Sequence, residues 1–126
     1  MTPVAAIAQS GIAAATLKLN ASASNIANAD DTSAVGAAGY QPIEVNNSAV
    51  PAGGVLAQAV TLKPGTMVIY DPTSAAADAR GFVQGPEIDP IAEISNAVAA
   101  GRAFAWNVKV LKAADKQEKT LLDLKT

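Results

Sequence analysis

Proton or metal chemistry in this chain would have to run on carboxylates alone. Its 126 residues include eleven Asp and Glu but no His and no Cys. That removes Ser-His-Asp and Cys-His nucleophile systems, thiolate or imidazole zinc sites, His- or Cys-ligated haem, iron–sulfur clusters and disulfides. Acid–base work by carboxyls needs two of them facing one cleft, and no such pair shares a helical face here. Asp30 and Asp31 are adjacent in a turn-like stretch, and two neighbouring carboxylates rarely fill the oxygen shell of a hard cation. The chain reads as having no catalytic residue, no metal and no cofactor.

Four polar residues and one aromatic stand out instead. Asn20, Asn25 and Asn28 lie on or beside the polar face of a predicted helix. Each reads as a solvated amide when alone, and must find hydrogen-bond partners when packed against another chain. Arg102 is either a surface charge or, in a packed helical layer, a fork donor to carboxylates and carbonyls. Trp106 lies off the face that carries Phe104 and reads as a contact with the middle of the chain or with a neighbour.

The elements that position these residues follow from periodicity. Residues 1–28 read as a helix, opened by the capping pair Thr2-Pro3. Ala5, Ile12, Leu19 and Ile26 recur every seven residues, with Ala8, Ala15 and Ser22 three behind the first three. That is a coiled-coil seam with small residues at the second position, which lets two backbones approach closely. Residues 28–39 form a loop of turn residues. Alternation at Ile43–Asn46, and β-branched runs at Val55–Leu62 and Thr66–Tyr70, read as short strands, with Phe82-Val83 a possible fourth. Leu62–Thr66 is expected to turn between two strands of one hairpin. From Asp89-Pro90 the pattern returns to helix, with an apolar stripe through Ile91, Ile94, Val98, Gly101, Phe104 or Ala105, Val108, Leu111, Ala114 and Leu121 or Leu122. Asp115/Lys119 and Lys119/Asp123 are one-turn opposite-charge pairs on its exposed side.

The fold expected is α+β: two long terminal helices packed as an antiparallel coiled coil, with a small β insert between them. Its segments are 1–30, 31–88 and 89–126, forming one structural unit.

Half the residues are hydrophobic, yet aromatics are only 4% and 29 residues are alanine. Alanine buries little area, so the core is thin unless other chains complete it. A net charge of −2 argues against a nucleic-acid partner. Val4–Ala15 is apolar but has no basic residue ahead of it, the first being Lys18. No cleaved signal peptide is expected, and polar interruptions exclude stable membrane insertion.

Three ordered motifs carry a resemblance. Ser24-Asn25-Ile26-Ala27-Asn28-Ala29-Asp30, Thr32 and Gly39-Tyr40-Gln41 are similar to the N-terminal signature of bacterial flagellar axial rod/hook proteins. Glu93–Leu124 resembles their shared C-terminal helix. Asp71-Pro72, Ala77-Asp78-Ala79, Gly81-Phe82-Val83 and Pro86 resemble a block of the FlgC-like proximal-rod group.

The resemblance implies a structural subunit of the flagellar basal-body rod, a periplasmic tubular shaft underlying motility. Its implied partners are copies of itself, other flagellar rod subunits and the flagellar type III export apparatus, by which it would leave the cell without a cleaved signal. The assembly interface expected on this reading is Ile7, Ile12, Leu19, Asn20, Asn25, Ile26 and Asn28 on the first helix. On the second it is Ile94, Val98, Arg102, Phe104, Asn107, Val108 and Leu111. The alternative is a small non-enzymatic adaptor or assembly factor derived from the same family.

Overall fold

Proline and alanine set the first element. In the computed structural model, which describes residues 3–124, α1 spans Pro3–Ala27. Pro3 has no N–H to leave unsatisfied in the first turn, and alanine carries the highest helix propensity. The expectation that Thr2 caps this helix lies outside the described residues, as do residues 1, 125 and 126. A loop follows to Pro42. Strands β1 (Ile43–Ala49) and β2 (Val55–Thr61) form an antiparallel hairpin with Ile43 opposite Thr61 and Ala49 opposite Val55. Strands β3 (Thr66–Tyr70) and β4 (Phe82–Pro86) form a second, separate hairpin with Thr66 opposite Pro86. Helix α2 spans Pro90–Asp123. Its entry is fixed by Asp89, whose carboxylate accepts from the N–H groups of Ile91 (2.9 Å) and Ala92 (3.3 Å), satisfying two orphan donors.

The class is α+β with the strands between the helices, but they form two two-stranded sheets rather than one. The segment Leu62–Gly65 does not turn between strands of one hairpin. It carries the chain from one sheet to the other. The actual hairpin turns are Val50–Gly54 and the longer Asp71–Gly81. Both contain glycines with positive φ, +96° at Gly54 and +83° at Gly81, a region side chains with a Cβ rarely enter. A lone two-stranded hairpin is marginal in water, so each is held by something else. The β1–β2 hairpin rests on α1. The second is extended by Ser33, which exchanges two 2.8 Å backbone hydrogen bonds with Gln84.

The helices lie side by side and antiparallel. Gly11 of α1 faces Asn107 of α2 so closely that a Cβ there would stand 2.6 Å from the Asn107 side chain. Fourteen residues further along α1, Asn25 donates to Glu93 at 3.0 Å. At equal rise per residue this pairing sets Pro3 level with about Asp115, so the last turns of α2 continue beyond the described part of α1.

The core is built from small side chains. Ala5, Ala8, Ala14, Ala15, Ala21, Ser22 and Asn25 are buried on α1, but only Ala100 and Ala114 on α2. Of the heptad positions, Ala5, Ala8, Ala15 and Ser22 are buried. The larger members Leu19 and Ile26 stay substantially exposed and Ile12 is half-buried. Of the apolar stripe expected on α2, Ile91, Ile94 and Val98 also point outward. Among the described residues, the ion pair present is Arg80–Asp78 at 3.5 Å, and the expected Asp115/Lys119 pair does not form.

Candidate assembly surface

Position in the helix pair decides where the site residues fall. On α1, Asn25 is 1% exposed and its amide is fully used within the chain. Its Nδ2 donates to the Ile43 carbonyl (2.9 Å) and to Glu93 Oε1 (3.0 Å). Its Oδ1 accepts from the Ile43 N–H (2.9 Å) and the Tyr40 hydroxyl (2.9 Å). Tyr40 Oη also lies 2.9 Å from Ser24 Oγ. Asn25 therefore acts as a one-residue strand partner for Ile43. It ties α1 to β1 and to α2, and its place is the interior rather than the polar face. A buried amide is tolerated because every lone pair and proton has a partner.

Asn28 donates to the Ser24 carbonyl at 2.8 Å and is half-buried, while Asn20 is exposed. Ile7 packs over Gly53, where a Cβ would stand 2.9 Å from Ile7 Cδ1, yet keeps 41% of its surface. On α2, Asn107, Val108 and Leu111 are half-buried; Asn107 faces Gly11 of α1 and also donates to the Ala103 carbonyl at 2.8 Å. Ile94, Val98, Arg102 and Phe104 are exposed. Trp106 is exposed too, with the Lys109 ammonium 4.5 Å from its ring centroid. The structure thus brings Asn25 and Asn107 between the elements. It leaves Ile94, Val98 and Arg102 exposed along one face of α2 and Phe104 exposed on another flank.

A hollow of about 780 Å³ runs between α1, α2 and β1, floored by small residues from Gly11 to Ser22 and rimmed by Glu44, Glu87, Asp89 and Glu93. No group of three His, Cys, Asp or Glu suited to a metal occurs among the described residues, and none of the described helices is long and apolar enough to cross a membrane.

The third sequence motif proves to be a turn. Asp71 Oδ1 accepts from the N–H and hydroxyl of Thr73, and the hydroxyl bond does most to hold its carboxyl below the usual range. Asp78 Oδ1 accepts from the N–H groups of Arg80 (2.8 Å) and Phe82 (3.0 Å), and the Phe82 bond leads in lowering its pKa. Tyr70 meets Phe82 edge-on at 5.3 Å across the strands. Sequence reasoning missed Tyr40 and Glu93 as partners of Asn25. The tyrosine two residues before a proline and a strand was a signal, because buried phenols seek an acceptor.

Comparison with known proteins gives consistent names. Residues 79–124 match the family described as flagellar basal body rod FlgEFG protein C-terminal. The chain is 34% identical over 111 residues to the flagellar basal-body rod protein FlgC of Salmonella typhimurium, covering 83% of each. It is 36% identical over 118 residues to that of Buchnera aphidicola subsp. Acyrthosiphon pisum, covering 86% of this chain and 85% of the relative. It is 32% identical over 108 residues to that of Aquifex aeolicus, covering 82% and 81%.

Proposed function

The chain belongs to the FlgC family of flagellar basal-body rod proteins and is a structural subunit of that rod, and on that premise we propose that its two terminal helices are the assembly elements. In this reading they pack as a coiled-coil pair, and the segments 1–30, 31–88 and 89–126 work as one unit. The helices of neighbouring copies and of other rod subunits complete the core that a single chain leaves thin. The protein is non-enzymatic and binds no metal or cofactor. It reaches a periplasmic rod through the flagellar type III export apparatus.

One observation carries the proposal. Helix α2 is 34 residues long but buries only two of them, and it exposes Ile91, Ile94, Val98 and Phe104 in sequence along its first half. An exposed apolar run of this kind marks a docking surface. Repeating one such contact around a screw axis makes a tube that does not close on itself.

The test is a double variant, Ile94→Asp with Val98→Asp, expressed in a host lacking its own copy of the gene. Both positions are at least half exposed, so the isolated fold should be unchanged by circular dichroism. Basal bodies should lack the variant and the cells should not swim. Normal incorporation would refute assembly through this face.

A further inference from the structure

The two edges of the second hairpin differ. The Asp71 N–H donates to the Gly81 carbonyl and the Glu87 N–H to the Gly65 carbonyl, so within β3 the residues that bond to β4 are Met67 and Ile69. The N–H and C=O groups of Thr66, Val68 and Tyr70 then point the other way, where the sheet has no further strand. On β4 the outer groups of Gln84 are already taken, by two 2.8 Å bonds with Ser33. Among the described elements, β3 lies against β4 alone. Native open edges are guarded by charge, proline or a bulge. Residues 65–70 hold no charge and no proline, and Val68 and Tyr70 keep 57% and 65% of their surface. The first hairpin is different, because side chains of α1 reach its edges, Asn25 at Ile43 and Ser10 at Val55.

We propose that the open edge of β3 receives an extended strand from a different protein of the rod, paired antiparallel to β3 through backbone hydrogen bonds. Charge gives the chemistry of that strand. Lys63 stands before β3 and Asp71 directly after it, with no charge between them. A complementary antiparallel strand starts with a basic residue, against Asp71, and ends with an acidic one, against Lys63. Its middle is uncharged, with β-branched or aromatic side chains to lie beside Val68 and Tyr70. β4, the antiparallel partner that β3 already has, follows the same order: Arg80 precedes it, Glu87 follows it, and no charge lies between. The β3 strand of a second copy is the wrong occupant. Two identical edges pair about a two-fold axis and close the contact, whereas a shaft needs contacts that propagate. Complementary charge sets direction and register here, and the backbone bonds and the exposed Val68 and Tyr70 supply the adhesion. The contact is separate from the helix faces and adds a second kind of joint.

The test removes one outward N–H in the full chain. Val68→Pro deletes a donor that β4 does not use, and proline is tolerated at an edge position whose N–H faces away from the sheet. The variant should keep its circular dichroism and slow exchange at Val83, yet its incorporation into basal bodies should fall by roughly tenfold or more. Normal incorporation overturns the proposal. Where the variant loses its fold, the native chain decides. Its amides at Thr66, Val68 and Tyr70 should exchange fast in isolation and at least about tenfold more slowly in purified basal bodies, with Met67 and Ile69 slow in both. Unchanged exchange at the three outward positions overturns it as well. Lys63→Glu tests the order of charges: incorporation should drop several-fold, and a normal level refutes the assigned chemistry of the strand. Val68→Cys tests the occupant, since the chain has no native Cys. Disulfide-linked dimers of this variant within basal bodies would identify a second copy and overturn the choice of a different protein. Failure at this edge leaves the helix reading standing, because the Ile94→Asp, Val98→Asp variant tests that reading on its own.

Discussion

The two helices begin alike, each with a proline in the first turn, and end up in different surroundings. α1 has α2 on one side and the β1–β2 hairpin on another, and buries seven of its 25 residues. α2 has α1 on one side only and buries two of 34. Composition accounts for part of the difference, since α2 carries nine charged residues and α1 only Lys18. The place of the hairpin accounts for the rest. Asn25 clamps the start of β1, and Ser10 Oγ accepts from the Val55 N–H at 3.1 Å at the far end. The hairpin is pinned to α1 at both ends, and nothing equivalent covers α2. One helix is finished within the chain and the other is left for neighbours.

Substitutions can break that contrast, and the largest effect is expected at the clamp. Asn25→Asp cannot donate to the Ile43 carbonyl and sets a second carboxylate beside Glu93. It should cost about 3 kcal/mol in urea unfolding, the scale for stranding several buried polar partners. The Ile43 amide should exchange rapidly, and a variant as stable as the native chain would remove the clamp from this account. Next is Ala15→Leu, at a position 4% exposed. Overfilling this close approach should cost about 2 kcal/mol, whereas Val98→Leu on the uncovered helix should stay within about 0.5 kcal/mol. Equal costs at the two sites would erase the contrast between the helices.

Gly54→Ala probes the far pin of the hairpin. It forces a Cβ into a φ of +96° and to within 2.5 Å of Ser10 Oγ, and about 1–2 kcal/mol should be lost. Hydrogen exchange should accelerate at Val55 and not at Val83, which belongs to the other sheet. The smallest effect concerns Asp78. Its folded pKa lies below the ordinary 3.8. Its charge therefore contributes stability above that value, which is lost as pH falls through the lower folded value. Asp78→Asn keeps the accepting oxygen but should flatten the acid limb of the stability profile below about pH 4. An unchanged acid limb would mean that the 71–81 turn does not depend on the charge.

Much of this was legible in the sequence because it is local. Pro3 and Asp89-Pro90 start helices by their own backbone chemistry, the glycines at 54 and 81 permit turns, and alternation at Ile43–Asn46 marks a strand wherever it ends up. The absence of His and Cys excluded most catalytic and metal chemistry before any contact was known, and the Ser24–Asp30 and Asp71–Pro86 motifs pointed to the rod family. Pairing was not legible. Nothing between Leu62 and Gly65 distinguishes a turn within a hairpin from a step between two sheets, because strand partners are chosen by non-local contacts. The heptad pattern likewise located the small residues of the seam but not how far Leu19 and Ile26 stay open, since alanine pairs set the spacing and larger side chains are left at its margin. Asn25 is the sharpest case. Its side chain is polar wherever it stands, and only the tertiary arrangement of Tyr40, Ile43 and Glu93 around it turns a solvated amide into the bond that joins three elements. Burial of a polar group is determined by whether partners arrive from elsewhere in the chain, and the residue itself carries no record of them.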